Sequence, residues 1–136
     1  MNADRIAALV FLWIATASTW SVAGNTHYDC TIVSAEKLTE SGTLAAHWTV
    51  KSAEGTKFTV DRITGSIIGG PLDNSKSKIE VIDKGTNEMS FQAFSRSTQR
   101  THTTYIEIQE FLPGLEKPFV GTTTLYQPGV YSGICK

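Results

Sequence analysis

The chain has 136 residues, 18% of them charged, and a formal net charge of −1. That balance gives no electrostatic reason to expect nucleic acid, which needs a concentrated basic face, and it does not suggest a polybasic patch for an anionic membrane. The length suits one domain with one core.

In chain order, the first element is an export signal. Met1 to Arg5 is short and polar, and Ile6 to Ala15 is an unbroken apolar run. A bilayer-spanning helix needs ~20 apolar residues, about twice what this run supplies. Ser21-Val22-Ala23 places small residues at the third and first positions before Gly24, the pattern of a signal-peptidase site. A cleaved signal over 1–23 is therefore expected, with a second cut after Ala17 and an uncleaved anchor as alternatives. The mature domain would span 24–136 in the periplasm or outside the cell, with no stable membrane insertion. His27-Tyr28-Asp29 before Cys30 is the wrong context for lipidation.

The chain has two cysteines, Cys30 and Cys135. In an oxidising compartment such a pair is most simply a disulfide, and this one would tie the first strand to the last. A redox motif would space the cysteines two residues apart, and a metal site would need further ligands nearby.

The mature region is rich in Thr, Val, Ile, Tyr and Phe and is cut short repeatedly by Gly, Asn, Asp and Pro, a strand-and-turn composition. Tyr28 to Ala35 is predicted as a strand, and the polar stretch Glu36 to Gly42 as a helical turn or a loop. Ala46 to Ser52 alternates as a strand with Trp48 and Val50 on its inner face and His47, Thr49 and Lys51 outside. Ala53 to Thr56 turns the chain on Gly55. Lys57 to Arg62 follows, with Phe58 and Val60 inward. Asp61-Arg62-Ile63-Thr64-Gly65 is a tight reversal in which Asp accepts backbone N–H groups and Gly takes φ > 0. Pro71 to Ser77 is expected to be an exposed loop. Lys78 to Asp83, Met89 to Ser97 and Arg100 to Phe111 are strands; Ile79 and Val81 share one side, Met89, Phe91 and Ala93 oppose Gln92, Phe94 and Arg96, and Ile106 and Ile108 share the face opposite Tyr105, Glu107 and Gln109. Leu112 to Pro118 is a loop, Phe119 to Tyr126 a Thr-rich strand, and Tyr131 to Cys135 the last strand. No long segment has a 3.6-residue period. The expected fold is all-β: one antiparallel barrel or sandwich of about seven or eight short strands, meander-like, its terminal strands joined by Cys30–Cys135.

Chemistry-bearing motifs are sparse. His27, His47 and His102 lack chelating spacing and are expected at the solvated surface, so no metal is predicted. Glu107 and Glu110 fall on opposite faces of a regular strand, and Asp61 and Asp83 belong to turns. Ser34-Ala35-Glu36-Lys37 matches a Ser-x-x-Lys string without the helix or partner motifs its chemistry needs. Gly65 to Gly70 lacks the lysine of a phosphate loop, so no cofactor is expected.

The positive signal is aromatic. Phe94, Arg96, Arg100 and Tyr105 form a candidate binding patch, because aromatics beside arginine are frequent interface anchors. The predicted function is a non-enzymatic exported binding module. It would present a β face or barrel mouth to a protein or small molecule. The alternatives are a small exported enzyme acting on glycan or peptide, and an assembly component using an exposed strand edge. Convergence of His102 with a carboxylate in a cleft would favour the enzyme, and a side-chain-filled barrel would argue against carriage of an apolar ligand.

Overall fold

The computed structural model describes residues 25–125 and 128–136. The export signal and Tyr126 lie outside the described residues. The strands in chain order are β1 (His27–Leu38), β2 (Leu44–Ala45), β3 (Lys57–Asp61), β4 (Ile67–Ile68), β5 (Ser77–Lys84), β6 (Phe91–Ser97), β7 (Thr103–Ile108), β8 (Lys117–Thr123) and β9 (Gly129–Cys135), with a one-turn helix α1 (Trp48–Lys51) before β3. All pair antiparallel in one sheet of order β4-β3-β1-β9-β8-β7-β6-β5, and β2 pairs with the end of β1. The stretch β5 to β9 is a simple meander, as expected. The sheet curls into a half-barrel. Phe58 on β3 meets Phe119 on β8 edge to face at 5.2 Å, although three steps of the sheet order separate their strands.

The two halves of the chain meet at β1 and β9. Cys30 lies directly opposite Cys135, and the two form a disulfide. The neighbouring pair, Asp29 and Lys136, exchanges both backbone hydrogen bonds, at 3.0 and 2.9 Å. The cysteines therefore occupy the adjoining non-hydrogen-bonded pair, where side chains approach most closely. Higher up, Val33 is an extra residue on β1, a bulge that turns it outward to 64% exposure. Gly133 makes the close approach there possible, since a Cβ would sit 2.0 Å from the carbonyl oxygen of Thr31.

Alternation on β3, β6 and β7 is as expected. Phe58, Val60, Phe91, Ala93, Ile106 and Ile108 are buried, while Phe94 faces outward. β1 runs on through Leu38, past the turn expected from Glu36, and β7 starts only at Thr103, so residues 100–102 are not strand; two further segments differ from expectation. Ala46–Ser52 is not a strand. His47 Nδ1 accepts the Thr49 amide at 3.3 Å and caps α1. Each helical residue advances ~100°, so residues two apart point to nearly opposite sides. Val50 is buried in the core and Trp48 is 79% exposed.

The Pro71–Ser77 loop is not simply exposed. Leu72 is fully buried and Asn74 is 3% exposed. Asn74 accepts the Ile67 amide at 2.7 Å and donates to the Gly65 carbonyl at 3.1 Å, so it pairs with β4 as a strand would. Asp73 accepts the amides of Gly69 and Ser75, each at 3.0 Å, and the Ser75 hydroxyl at 2.7 Å. With its backbone satisfied from within, the loop drops Leu72 into the half-barrel against β8. There, Gly121 leaves the space that a Cβ would take, 2.5 Å from Leu72 Cδ1.

The seam between β4 and β5 has no strand ladder. The turn after β3 covers it. Asp61 Oδ1 accepts the amides of Ile63 and Thr64 at 2.9 and 2.7 Å. Gly65, at φ 72, then lies against Ile79 and Val81 of β5.

Replacing Leu72 by alanine should lower unfolding free energy by ~2–4 kcal/mol, the usual cost of a core cavity. Gly121→Ala should cost ~1–3 kcal/mol through overpacking in the native chain and clearly less in the Leu72→Ala background. Urea unfolding of the four proteins checks this, and strictly additive effects would contradict the plug. Removing the disulfide by Cys30→Ser/Cys135→Ser should cost up to about 5 kcal/mol, given a sequence separation of 105. Thermal melts of oxidised and variant protein measure it.

Candidate functional site

The outer face of β6 and β7 gathers three of the four residues of the aromatic–arginine patch. Phe94 and Tyr105 are cross-strand partners in register. Arg96 lies two residues along β6 on the same face, opposite Thr103 on one side and Lys78 on the other. Glu80 flanks Phe94, and Thr122 flanks Tyr105. Phe94 is 37% exposed, and Val120, one row along on β8, is 39% exposed.

Tyr105 is held in place. Its hydroxyl donates to Glu107 Oε2 at 2.9 Å, while Ser90 donates to Glu107 Oε1 at 2.8 Å. Burial, then the hydrogen bond and charge of Glu107, push its phenol up to about 12. The result is a preorganised aromatic pair with one basic flank and one acidic flank.

Arg100 is elsewhere. It lies in the turn between β6 and β7 and lines a cleft of 480 Å³ at the barrel mouth, together with Lys76, Asp73, Ser97 and His102. The His102 Nδ1 atom is buried and has no hydrogen-bond partner, contrary to the solvated position expected for it. His102 and Asp73 thus share a cleft, the convergence that would favour an enzyme. Asp73 is unsuited to a base role: both its oxygens hold the β4–β5 loop, and those hydrogen bonds outweigh desolvation and lower its carboxyl below the ordinary range. Ser34 and Lys37 lie on strand β1, so their string has no helical face to work from. Among the described residues, no group of three or more His, Cys, Asp or Glu is placed to hold a metal ion. Strand edges offer little for assembly: β4 has two residues, and β5 is bulged at Ile82 and covered by the Gly65 turn.

At the opposite end of the barrel is a cluster that the sequence did not announce. Tyr28 on β1 donates to Glu110 Oε2 at 2.8 Å. The Arg62 guanidinium stacks 4.8 Å from the Tyr28 ring centroid and lies 3.8 Å from Glu110 Oε1. Arg62 also donates to the carbonyls of Asn25 at 3.5 Å and Lys84 at 3.4 Å. Lys117 Nζ donates to the Glu110 carbonyl at 2.9 Å and to that of Leu112. β7 ends at Ile108, so Glu110 sits in the following loop and not on a strand face with Glu107. The cluster joins β1, the β3–β4 turn, the end of β5 and the β7–β8 loop. Its partners are 82 residues apart, so no local pattern marks them. Every polar end in it is used internally, which makes it a clamp on the seam.

Comparison with protein-family models, curated proteins and solved structures finds no match to this chain.

The clamp has a pH signature. Burial first, and then the Glu110 hydrogen bond, raise the Tyr28 phenol well above its ordinary value of 10. A raised folded-state value means that this stabilisation is complete below pH ~10 and is lost as pH climbs through the folded value. Tyr28→Phe should therefore cost ~1–2 kcal/mol at pH 7, with the gap from wild type narrowing above pH ~10. Urea titrations from pH 7 to 11 measure it, and a pH-independent gap would dismiss the Tyr28 hydroxyl as the linked group.

Proposed function

We propose that the protein is an exported, non-catalytic binding module, and that the outer face around Phe94, Arg96 and Tyr105 docks a protein partner. The observation that carries this is the in-register Phe94–Tyr105 pair beside Arg96 on a braced sheet. Aromatic and arginine side chains supply most interface anchors, and an aromatic already locked by Glu107 loses little freedom on binding. The buried disulfide and the absence, among the described residues, of a helix long and apolar enough to cross a membrane agree with work in an oxidising compartment.

Other uses are less well supported. The concave side is filled by Leu72, Phe58, Phe91, Phe119 and Tyr131, which disfavours carriage of an apolar ligand. The carboxylates nearest the candidate sites, Asp73, Glu107 and Glu110, are tied to internal donors, which disfavours a hydrolytic pair.

Affinity capture tests the proposal, using mature oxidised protein against extract of the compartment to which the host exports it. A stoichiometric partner should be retained by wild type. Phe94→Ala and Arg96→Ala should each weaken it by roughly tenfold or more, the scale of an interface anchor. Retention of the partner by the Phe94→Ala/Arg96→Ala double variant would refute the assignment of this face.

A further inference from the structure

The interior of the half-barrel changes character along its axis. Toward the clamped end, inward positions are apolar: Val81 on β5, Phe91 and Ala93 on β6, Ile106 and Ile108 on β7, Phe119 on β8. Toward the mouth they become polar on all four strands: Ser77, then Ser95 and Ser97, then Thr104, then Thr123. These residues are neighbours across the sheet. Ser77 pairs with Ser97, Ser95 with Thr104, and Thr104 with Thr123. His102 extends the ring, its carbonyl accepting the Ser97 amide at 3.0 Å.

A filled interior has no need of such groups, because inward rows are cheapest when apolar. Two of them are also unsatisfied. Ser95 is 1% exposed and its hydroxyl has no partner, and His102 Nδ1 is buried without one. Buried polar atoms left unpaired are costly and uncommon, and they concentrate where a ligand completes the bonding. His102 lines the 480 Å³ cleft, and Ser95 lies behind its lining, one inward position below Ser97, which also lines it.

The rim chemistry selects the ligand. Lys76 and Arg100 bring positive charge to the cleft. Asp73 also lines it as an ionised carboxylate that interacts electrostatically with Lys76, so these three charged groups leave the cleft one net positive charge. The Ser97 hydroxyl accepts the amides of Gln99 and Arg100 at 3.3 and 3.1 Å, which leaves its own proton to donate. Cations and hydroxyl donors around a polar recess favour an acceptor-rich ligand. The volume lies within the range of small-molecule sites.

We propose that the barrel mouth binds a small hydrophilic oxyanion, a carboxylate- or phosphate-bearing molecule. Its anionic group sits between Lys76 and Arg100, and its polar body reaches toward Ser97, His102 and Ser95. This site is separate from the outer face around Phe94 and stands whether or not that face docks a protein.

Amide-resolved NMR titration of the mature oxidised protein tests it, at constant ionic strength, with citrate, inorganic phosphate and neutral glucose as probes. Citrate or phosphate should give saturable shifts centred on Ser75–Ser77 and Ser95–Thr104, and glucose should give none. Lys76→Gln should weaken the anion roughly tenfold or more, the scale of one charge-assisted contact. Ser95→Ala should weaken citrate measurably while leaving the spectrum otherwise native. The spectra themselves report whether each variant is folded. Several results would overturn the proposal: no saturable shift at the mouth at ~10 mM anion, shifts scattered over surface lysines, equal response to glucose, or unchanged affinity in Lys76→Gln. Unchanged affinity in Ser95→Ala would remove the deep contact and confine binding to an adventitious ion at the rim, which also defeats it.

Discussion

The pairing of β1 with β9 is the junction on which the rest of the architecture depends. In the sheet order, the N-terminal strands β2, β3 and β4 attach through β1, and the C-terminal meander β5 to β8 attaches through β9. Among the described residues, the only strand ladder between these two groups is the one that holds Cys30 opposite Cys135. Contacts this distant in sequence are entropically costly to form, because a long loop must close before they contribute. A covalent bond at that register removes much of the cost from the unfolded side. It also fixes which faces of both halves look inward, since a one-residue slip would invert every side chain beyond it.

Closure at the other edge uses different physics. Between β4 and β5 there is no ladder, and the gap is held by side chains. Gly65 packs on Ile79 and Val81, Leu72 fills the space opposite Gly121, and Arg62 gathers Tyr28, Glu110 and two carbonyls at one end. Apolar filling and the clamp are both confined to the body and one end. The mouth is left with hydroxyls, an imidazole, two cations and the Asp73 carboxylate, and the outer sheet with its aromatic pair.

Legibility of the candidate sites followed the range of the signal. Phe94 and Arg96 share a face by strand alternation, which is a local signal, and the short β6–β7 connection sets Tyr105 beside them in the folded sheet. Arg100 was grouped with them on sequence proximity alone. The strand ends at Ser97, and the intervening turn carries Arg100 to the mouth. Trp48 was misplaced because apolar residues two apart fit a strand's period, whereas the His47 cap starts a turn of helix. Leu72 was missed because a loop rich in Asp, Asn and Ser suggests solvent; here Asp73 and Asn74 satisfy the loop's own backbone and allow it to be buried.

By itself the sequence determined the all-β class, the meander, the inward face of β3, the alternation along β6 and β7, the Asp61–Gly65 turn and the pairing of its two cysteines. Each of these rests on a period of two, on turn residues a few positions apart, or on simple arithmetic. The tertiary structure alone decided that the sheet curls into a half-barrel, that Leu72 plugs it, that Tyr28, Arg62 and Glu110 clamp its seam, and that the inward serines and threonines converge on one mouth. Those arrangements depend on curvature and on contacts between segments far apart in the chain, which no local spacing encodes.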